Sequence, residues 1–411
     1  MSIKPLTPKI LLITYAFPPL QAAESFLSLK ALSKVNSHTI DVLTIDVSGL
    51  GLNVDNSLED YAFKNFGTIY KAKLPSWISS KVFSRLRYFS FFPDRFRFFN
   101  NRIFKKAQEI GLENYDLIIS WSQWHSVHLA ALKLKKISPK IPWLAHFSDP
   151  WSDNPFLTRF IGYKYSQYLL ERKVMKNADA INFTTNMARK LVMKKYPESW
   201  INKTYCTSHS FDESLYPVIS ANTQDKLVVS YLGNFYGPRN PINFMKALAM
   251  IIKEDKLFFD GVIFKFVGRW IGNEHWVLNE VNLPNGLIEV LPPISYIDSL
   301  IMMSKSDLLL ILDAQLSNSV FFPSKLVDYI GSGKPIMAIT PKGSCLDIIN
   351  KIGGETATPQ SIESISSGIK NVIMKLKEGS IKLPVDSEKE KFSNKYISYE
   401  FEILFKQLIN N

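Results

Sequence analysis

Short runs of apolar residues alternate with longer amphipathic segments along the whole chain, the pattern of parallel strands joined by crossover helices. In the first half, residues 10–14, 39–45, 68–72, 117–120, 143–147 and 180–184 predict strands. Between them, residues 24–34, 101–110, 125–136, 158–176 and 187–195 predict helices. The periodicity lapses over 205–225, where Thr207, Ser208, His209, Ser210, Asp212, Ser220 and Asn222 crowd together, and a linker is placed there. The alternation then resumes, with strands at 228–232, 263–267, 308–312 and 336–339 and helices at 242–252, 295–303, 324–331 and 361–377. The expected fold is therefore α/β: two doubly wound Rossmann-like domains facing each other across a cleft, with ligands at the carboxyl ends of the strands. The domains are expected over 1–215 and 225–388, with a closing helix over 390–411 that returns to the first.

Composition narrows the class. With 411 residues, 46% hydrophobic and only 2 Cys, the chain can bury two cores without disulfides. No apolar run approaches the roughly 20 residues that span a bilayer, and 10–13 is too short for a secretory signal. A cytoplasmic protein is expected, with peripheral contact at the inner face of the cell membrane left open. The net charge of +12 is concentrated: residues 61–110 hold eleven Lys and Arg against Asp94 and Glu109, interleaved with aromatics such as Trp77, Phe83, Phe91, Phe92, Phe96 and Phe99. Such a block suits an anionic membrane surface better than nucleic acid, for which no signature accompanies it.

The chemistry is sought at strand ends. Phe322-Pro323-Ser324-Lys325-Leu326-Val327-Asp328 opens a helix that Gly333 stops; Ser324 is expected to cap it, Lys325 to attract a diphosphate, and Asp328 to accept from ribose hydroxyls. Gly233 ends a strand and leads through Gly237-Pro238 to Arg239, a candidate phosphate ligand, and Gly268-Arg269 repeats the arrangement. In the first half, His146, Ser148 and Asp149 lie at the end of another strand, and His125 and His128 begin a helix. GxSxG, HExxH, GxxxxGK[ST] and an early GxGxxG are all missing from the sequence, which argues against serine hydrolases, zincins, P-loop NTPases and Rossmann dehydrogenases.

Four stretches carry a resemblance over nearly the full length: residues 10–19 ending in Phe17-Pro18-Pro19, Asp149-Pro150-Trp151, Leu232-Gly233-Asn234-Phe235-Tyr236-Gly237-Pro238-Arg239, and the helix from Pro323 to Pro335. In order and spacing they resemble GT-B fold glycosyltransferases of family 4, of the bacterial surface-polysaccharide type. The resemblance implies a retaining, metal-independent transferase that needs no cofactor. It would move a sugar from a nucleotide-diphosphate sugar to the hydroxyl of a lipid-linked or polysaccharide acceptor, as in lipopolysaccharide assembly. Donor binding would fall to Gly233, Arg239, Arg269, Ser324, Lys325, Leu326 and Asp328. Asp149, His146, Arg239 and Lys325 would be catalytic, with His125 and Ser148 on the acceptor side.

The chain departs from the family at several places. Val320 stands where the first acid of its E-x7-E pattern belongs, the glycine-rich first loop is reduced to Ala22-Ala23, and Ser148 replaces a histidine; Asn234 and Asn240 also stand at two positions often basic in the family. Rival readings are a nucleotide-sugar epimerase of the same fold and a catalytically weak sugar-nucleotide-binding protein.

Overall fold

The computed structural model describes residues 7–75, 78, 80–89, 93–155, 162–218, 225–271, 276–281 and 283–410. Trp77, Phe91 and Phe92 of the basic block, Ser220 and Asn222 of the linker, and the expected helix start at Thr158 lie outside the described residues. The chain forms two compact units, one of residues 1–210 with 394–411 and the other of residues 211–393.

The first unit is built on seven parallel strands: β1 (Lys9–Thr14), β2 (Thr39–Ile45), β3 (Ile69–Ala72), β4 (Leu117–Trp121), β5 (Trp143–Phe147), β6 (Ala180–Phe183) and β7 (Thr204–Cys206), in spatial order β3-β2-β1-β4-β5-β6-β7. β4 and β5 are buried at every residue and β1 at all but the first. Helices on both faces of a sheet demand such continuous apolar runs. The helices used below are α1 (Ala23–Leu32), α2 (Ser80–Phe89), α3 (Asn100–Glu109), α4 (Ser126–Ile137) and α5 (Tyr163–Asn177). The C-terminal helix Asn394–Asn410 packs on α1, where Ser398 donates to the Ala31 carbonyl at 2.9 Å. The basic block divides by chemistry. Phe83, Phe96 and Phe99 are fully enclosed in the core, while Lys64, Lys71, Lys73, Lys81, Arg85, Arg97, Arg102 and Lys105 are exposed.

The second unit has six parallel strands: β8 (Leu227–Leu232), β9 (Val262–Val267), β10 (Ile288–Leu291), β11 (Leu308–Leu312), β12 (Ile336–Ile339) and β13 (Glu355–Ala357), in spatial order β10-β9-β8-β11-β12-β13. Its helices include α6 (Ile242–Glu254), α7 (Tyr296–Lys305), α8 (Ser324–Ser332) and α9 (Ile362–Lys377). In both units the strand order reverses beside the first strand, which opens a crevice at the carboxyl edge of the sheet. α8 ends as its sequence requires, with Gly333 left-handed at φ 68° and its amide on Ile330. Its start differs from expectation. Pro323 occupies the cap and Ser324 is the first helical residue, so among the described residues no side-chain cap bond is made to the leading amides.

Candidate functional site

At the carboxyl edge of the second sheet, two glycine turns lie against each other. Gly233 follows β8 at φ 142° and Gly268 follows β9 at φ 138°, conformations that L side chains rarely adopt. A Cβ on Gly268 would collide with the Gly233 carbonyl, and a Cβ on Gly233 would collide with the amine of Lys325. The first turn of α8 thus delivers Lys325 directly onto the β8 turn.

The Lys325 amine lies 3.6 Å from the centre of the Tyr231 ring, buried and without a hydrogen-bond partner. Burial first, and then the neighbouring Arg239 charge, push it well below its ordinary range, against the pull of Asp313. Arg239 is better partnered. Its guanidinium meets Asp313 Oδ1 at 3.1 Å and donates to the Tyr236 hydroxyl at 3.0 Å, with its side chain 14% exposed. Burial works against that charge, but Tyr236 and Asp313 outweigh it and hold the proton more firmly than usual. Asp313 also accepts from its neighbour's amide, Ala314, at 2.8 Å and from the Thr340 hydroxyl at 3.2 Å. One carboxylate, already committed to Arg239 and two neutral donors, therefore lies beside a guanidinium and an amine that has no counter-charge of its own. Such an edge is short of negative charge and is chemically suited to an anion.

The other expected donor-side residues have partners of their own. Asp328 is buried in the second turn of α8, where its Oδ1 accepts from the Tyr296 hydroxyl of α7 at 2.8 Å. Leu326 is a core residue whose amide is bonded to the Pro323 carbonyl at 2.8 Å, so neither its side chain nor its N–H points outward. Arg269 is exposed, and it is its amide that is fixed, by Asn234 Oδ1 at 2.8 Å. Asp313, Tyr231 and Thr340 were not singled out in the sequence. Asp313 does carry a signal, since it directly follows the fully apolar 308–312 run at the sheet edge.

The corresponding edge of the first unit is built around a carboxyl group. Glu24, in the first turn of α1 and 5% exposed, receives both the Trp121 indole N–H from the end of β4 and the Ser148 hydroxyl from the end of β5 on one oxygen, Oε1. Burial raises its pKa to about 8; Ser148 and Trp121 oppose the rise and Asp149 adds to it. His146 is enclosed inside β5, its ring stacked 3.5 Å from Trp121 and its Nδ1 within 2.9 Å of the Asn182 amide. Its place is in the wall behind Trp121, with burial keeping it uncharged. His125 stacks on Trp151 at 5.0 Å, its Nδ1 buried without a partner, and burial lowers its pKa to about 3. His128 Nδ1 lies 2.8 Å from the Ser120 hydroxyl. The segment after β5 that carries Asp149 is anchored by Glu171 of α5, which accepts from the Ser152 amide at 2.7 Å and the Tyr196 hydroxyl at 2.6 Å.

HepE of Anabaena, solved in complex with UDP and glucose, superposes on this chain with a TM-score of 0.70 at 14% identity, over 98% of this chain and 100% of HepE. The chain has the GT-B fold. Sucrose-phosphate synthase of Thermosynechococcus elongatus is similar at a TM-score of 0.69 and 15% identity, over 98% and 99% of the two chains. A protein described as a putative UDP-N-acetylglucosamine 2-epimerase from Listeria monocytogenes is similar at 0.61 and 11% identity, over 98% and 96%. Neither a protein-family model nor a curated protein matches the chain.

Proposed function

We propose that this protein transfers a glycosyl group from a nucleotide-diphosphate sugar to an acceptor hydroxyl, with retention and without a metal ion. The observation that carries the reading is the buried Lys325 amine, unpartnered beside the Gly233 turn and Arg239. A diphosphate at this edge would give Lys325 its missing counter-charge and take hydrogen bonds from Arg239 and the uncapped start of α8. As the sugar–phosphate bond breaks, negative charge grows on the leaving diphosphate, and the two cations stabilise it more than they stabilise the ground state. The departing phosphate can take the acceptor proton on the same face, which leaves no step that needs a strong side-chain base. Arg269, Ser324 and Asp328 complete the donor side of the proposal.

The first unit is the acceptor side in this reading, with Ser148 and Asp149 at the sheet edge, His125 nearby, and His146 supporting Trp121. The exposed cations of residues 61–110 fit an anionic membrane surface carrying a lipid-linked acceptor, and no helix among the described residues is long and apolar enough to cross a membrane. Val320 supplies no carboxylate to the transferred sugar, so sugar recognition rests on other groups. The test measures binding and transfer with UDP-, GDP- and dTDP-sugars. Donor-dependent transfer that disappears in the Arg239→Ala, Lys325→Ala double variant is the expected result, and retained transfer would sink the assignment. Turnover of donor with no acceptor present would replace it with the epimerase reading.

A further inference from the structure

The contacts of Ser148 pose a problem of proton accounting. Its hydroxyl lies within hydrogen-bond reach of Glu24 Oε1 and, at 2.8 Å, of the Ser122 carbonyl oxygen. A hydroxyl has one proton and can serve only one of these acceptors. If Glu24 is ionised and takes it, the Ser148 oxygen and the Ser122 carbonyl meet lone pair to lone pair. If Glu24 Oε1 carries a proton, every contact is satisfied: Glu24 donates to Ser148, Ser148 donates to Ser122, and the Trp121 N–H still finds an acceptor on Oε1.

We propose that Glu24 is a positioning residue that works as a neutral carboxylic acid, giving its proton to Ser148 and so fixing the strand ends of β4 and β5. Ionisation reverses the Glu24–Ser148 bond and releases Ser122. The surroundings favour the neutral form. Asp149 presents a like charge, the enclosed His146 across the Trp121 ring carries none, and the C-terminal helix contributes the apolar Phe401 against Trp121 at 5.6 Å. Lys30, the next basic residue along α1, lies six positions on. The raised pKa of about 8 agrees with this proton placement. The role in catalysis rests on the transfer reading above: the Ser148 edge is its acceptor side, so transfer should fall as pH rises through the ionisation while donor binding does not change.

The decisive variant is Glu24→Gln. One amide atom cannot both accept from Trp121 and donate to Ser148, as a carboxyl hydroxyl does, so this variant should imitate the ionised protein at every pH. In wild-type minus Glu24→Gln infrared spectra, the carbonyl stretch of a protonated carboxyl is expected at pH 7 and lost by pH 9. The melting temperature of the variant relative to wild type should climb from pH 5 to 8 and then level, because the unfolded carboxyl ionises first. A missing band together with a flat melting difference would overturn the proposal. If the variant does not fold, Ser148→Ala should shift the same band in an otherwise unaltered protein, and an unmoved band would also overturn it. In transfer assays, wild-type kcat should drop several-fold between pH 7 and 9, while the variant is low and flat with UDP affinity within about twofold of wild type. A wild-type kcat that ignores pH while the infrared band titrates would remove the positioning role. A protein that binds no nucleotide sugar would remove the transfer reading alone, since the infrared and melting results stand without it.

Discussion

The two sheets share a strand order, but the ionisable groups buried at their carboxyl edges are of opposite kind, an acid in one and bases in the other, and are differently resolved. In the first unit a carboxyl lies against the neutral groups of Trp121 and Ser148, which meet it internally and leave it no need of an external cation. In the second unit Arg239 takes the carboxylate of Asp313, and the Lys325 amine is left with only the Tyr231 ring face. A doubly wound sheet therefore provides the crevice, and the balance of charge at its rim decides what enters it. An edge with unmet positive charge draws an anion; one whose acid is neutralised in place can bind neutral hydroxyl groups.

The largest effect that would break this contrast comes from removing the cations. Charge-assisted hydrogen bonds contribute about 1.5–3 kcal/mol each. The Arg239→Ala, Lys325→Ala double variant should thus lose roughly 10²–10⁴ in affinity for UDP by calorimetry, while Glu24→Gln stays near wild type. Equal losses from both would show that the two edges are not distinct in role.

A substitution in the turn sharpens the geometry. Gly233→Ala forces a side chain into φ 142° and drives its Cβ against the Lys325 amine. It should cost about 1–3 kcal/mol of stability and displace the amine, weakening UDP binding by about tenfold. Gly237 also has positive φ, but nothing lies within 4 Å of a Cβ there, so Gly237→Ala should cost about 1 kcal/mol or less and leave binding nearly intact. A Gly237→Ala variant as impaired as Gly233→Ala would mean that backbone strain, not the approach of Lys325, is what matters.

A buried acid and a buried base should also give opposite pH slopes. The pKa of Glu24 is raised from 4.5 to about 8, so the folded protein binds the extra proton and its stability falls as pH climbs through that window. Lys325 is lowered from 10.5, so there the unfolded chain binds the extra proton and stability grows as pH rises toward 10.5. Lys325→Met should raise the melting temperature at neutral pH by about 2–4 °C, the shift that ~1 kcal/mol produces in a unit of this size. The gain should shrink toward pH 10, and a constant gain would mean that Lys325 is fully charged in the free protein. A diphosphate would restore the lysine proton, so UDP affinity should weaken with rising pH.

The legible parts of the fold were those where one physical cause dominates. Residues 308–312 and 336–339 read as strands because burial on both faces leaves an unbroken apolar run, 39–45 and 143–147 because the apolar run is interrupted only by Asp41, Thr44 and His146, and the observed bounds of all four coincide. β7, β10 and β13 were not read, because strands at or near a sheet edge are short and tolerate Thr, Glu and Cys, as in Thr204–Cys206 and Glu355–Ala357. At the site, glycine turns and basic residues are local signals, so Gly233, Arg239 and Lys325 could be put forward from sequence. Glu24 could not, since its two donors lie 97 and 124 positions away. A buried acid is defined by its partners, and those only folding brings together.

The smallest effect concerns the first unit's surface. Phe83, Phe96 and Phe99 are core, with the Arg95 guanidinium 4.9 Å from the Phe83 ring centre, so these three rings are already used. Beside the exposed Phe63 and Phe98, the described surface of this block carries the charges of Lys64, Lys71, Lys73, Lys81, Arg85, Arg97, Arg102 and Lys105. Attraction to an anionic membrane would then be mainly electrostatic, worth about 1 kcal/mol per residue near the surface and screened over roughly 8 Å at physiological salt. Lys105→Ala should then weaken sedimentation with anionic liposomes by about fivefold at most, and raising the salt should weaken it further. Neutral liposomes should bind neither protein. Equal binding to neutral and anionic vesicles would detach the basic surface from membranes and leave the contrast between the two units a matter of their sheet edges only.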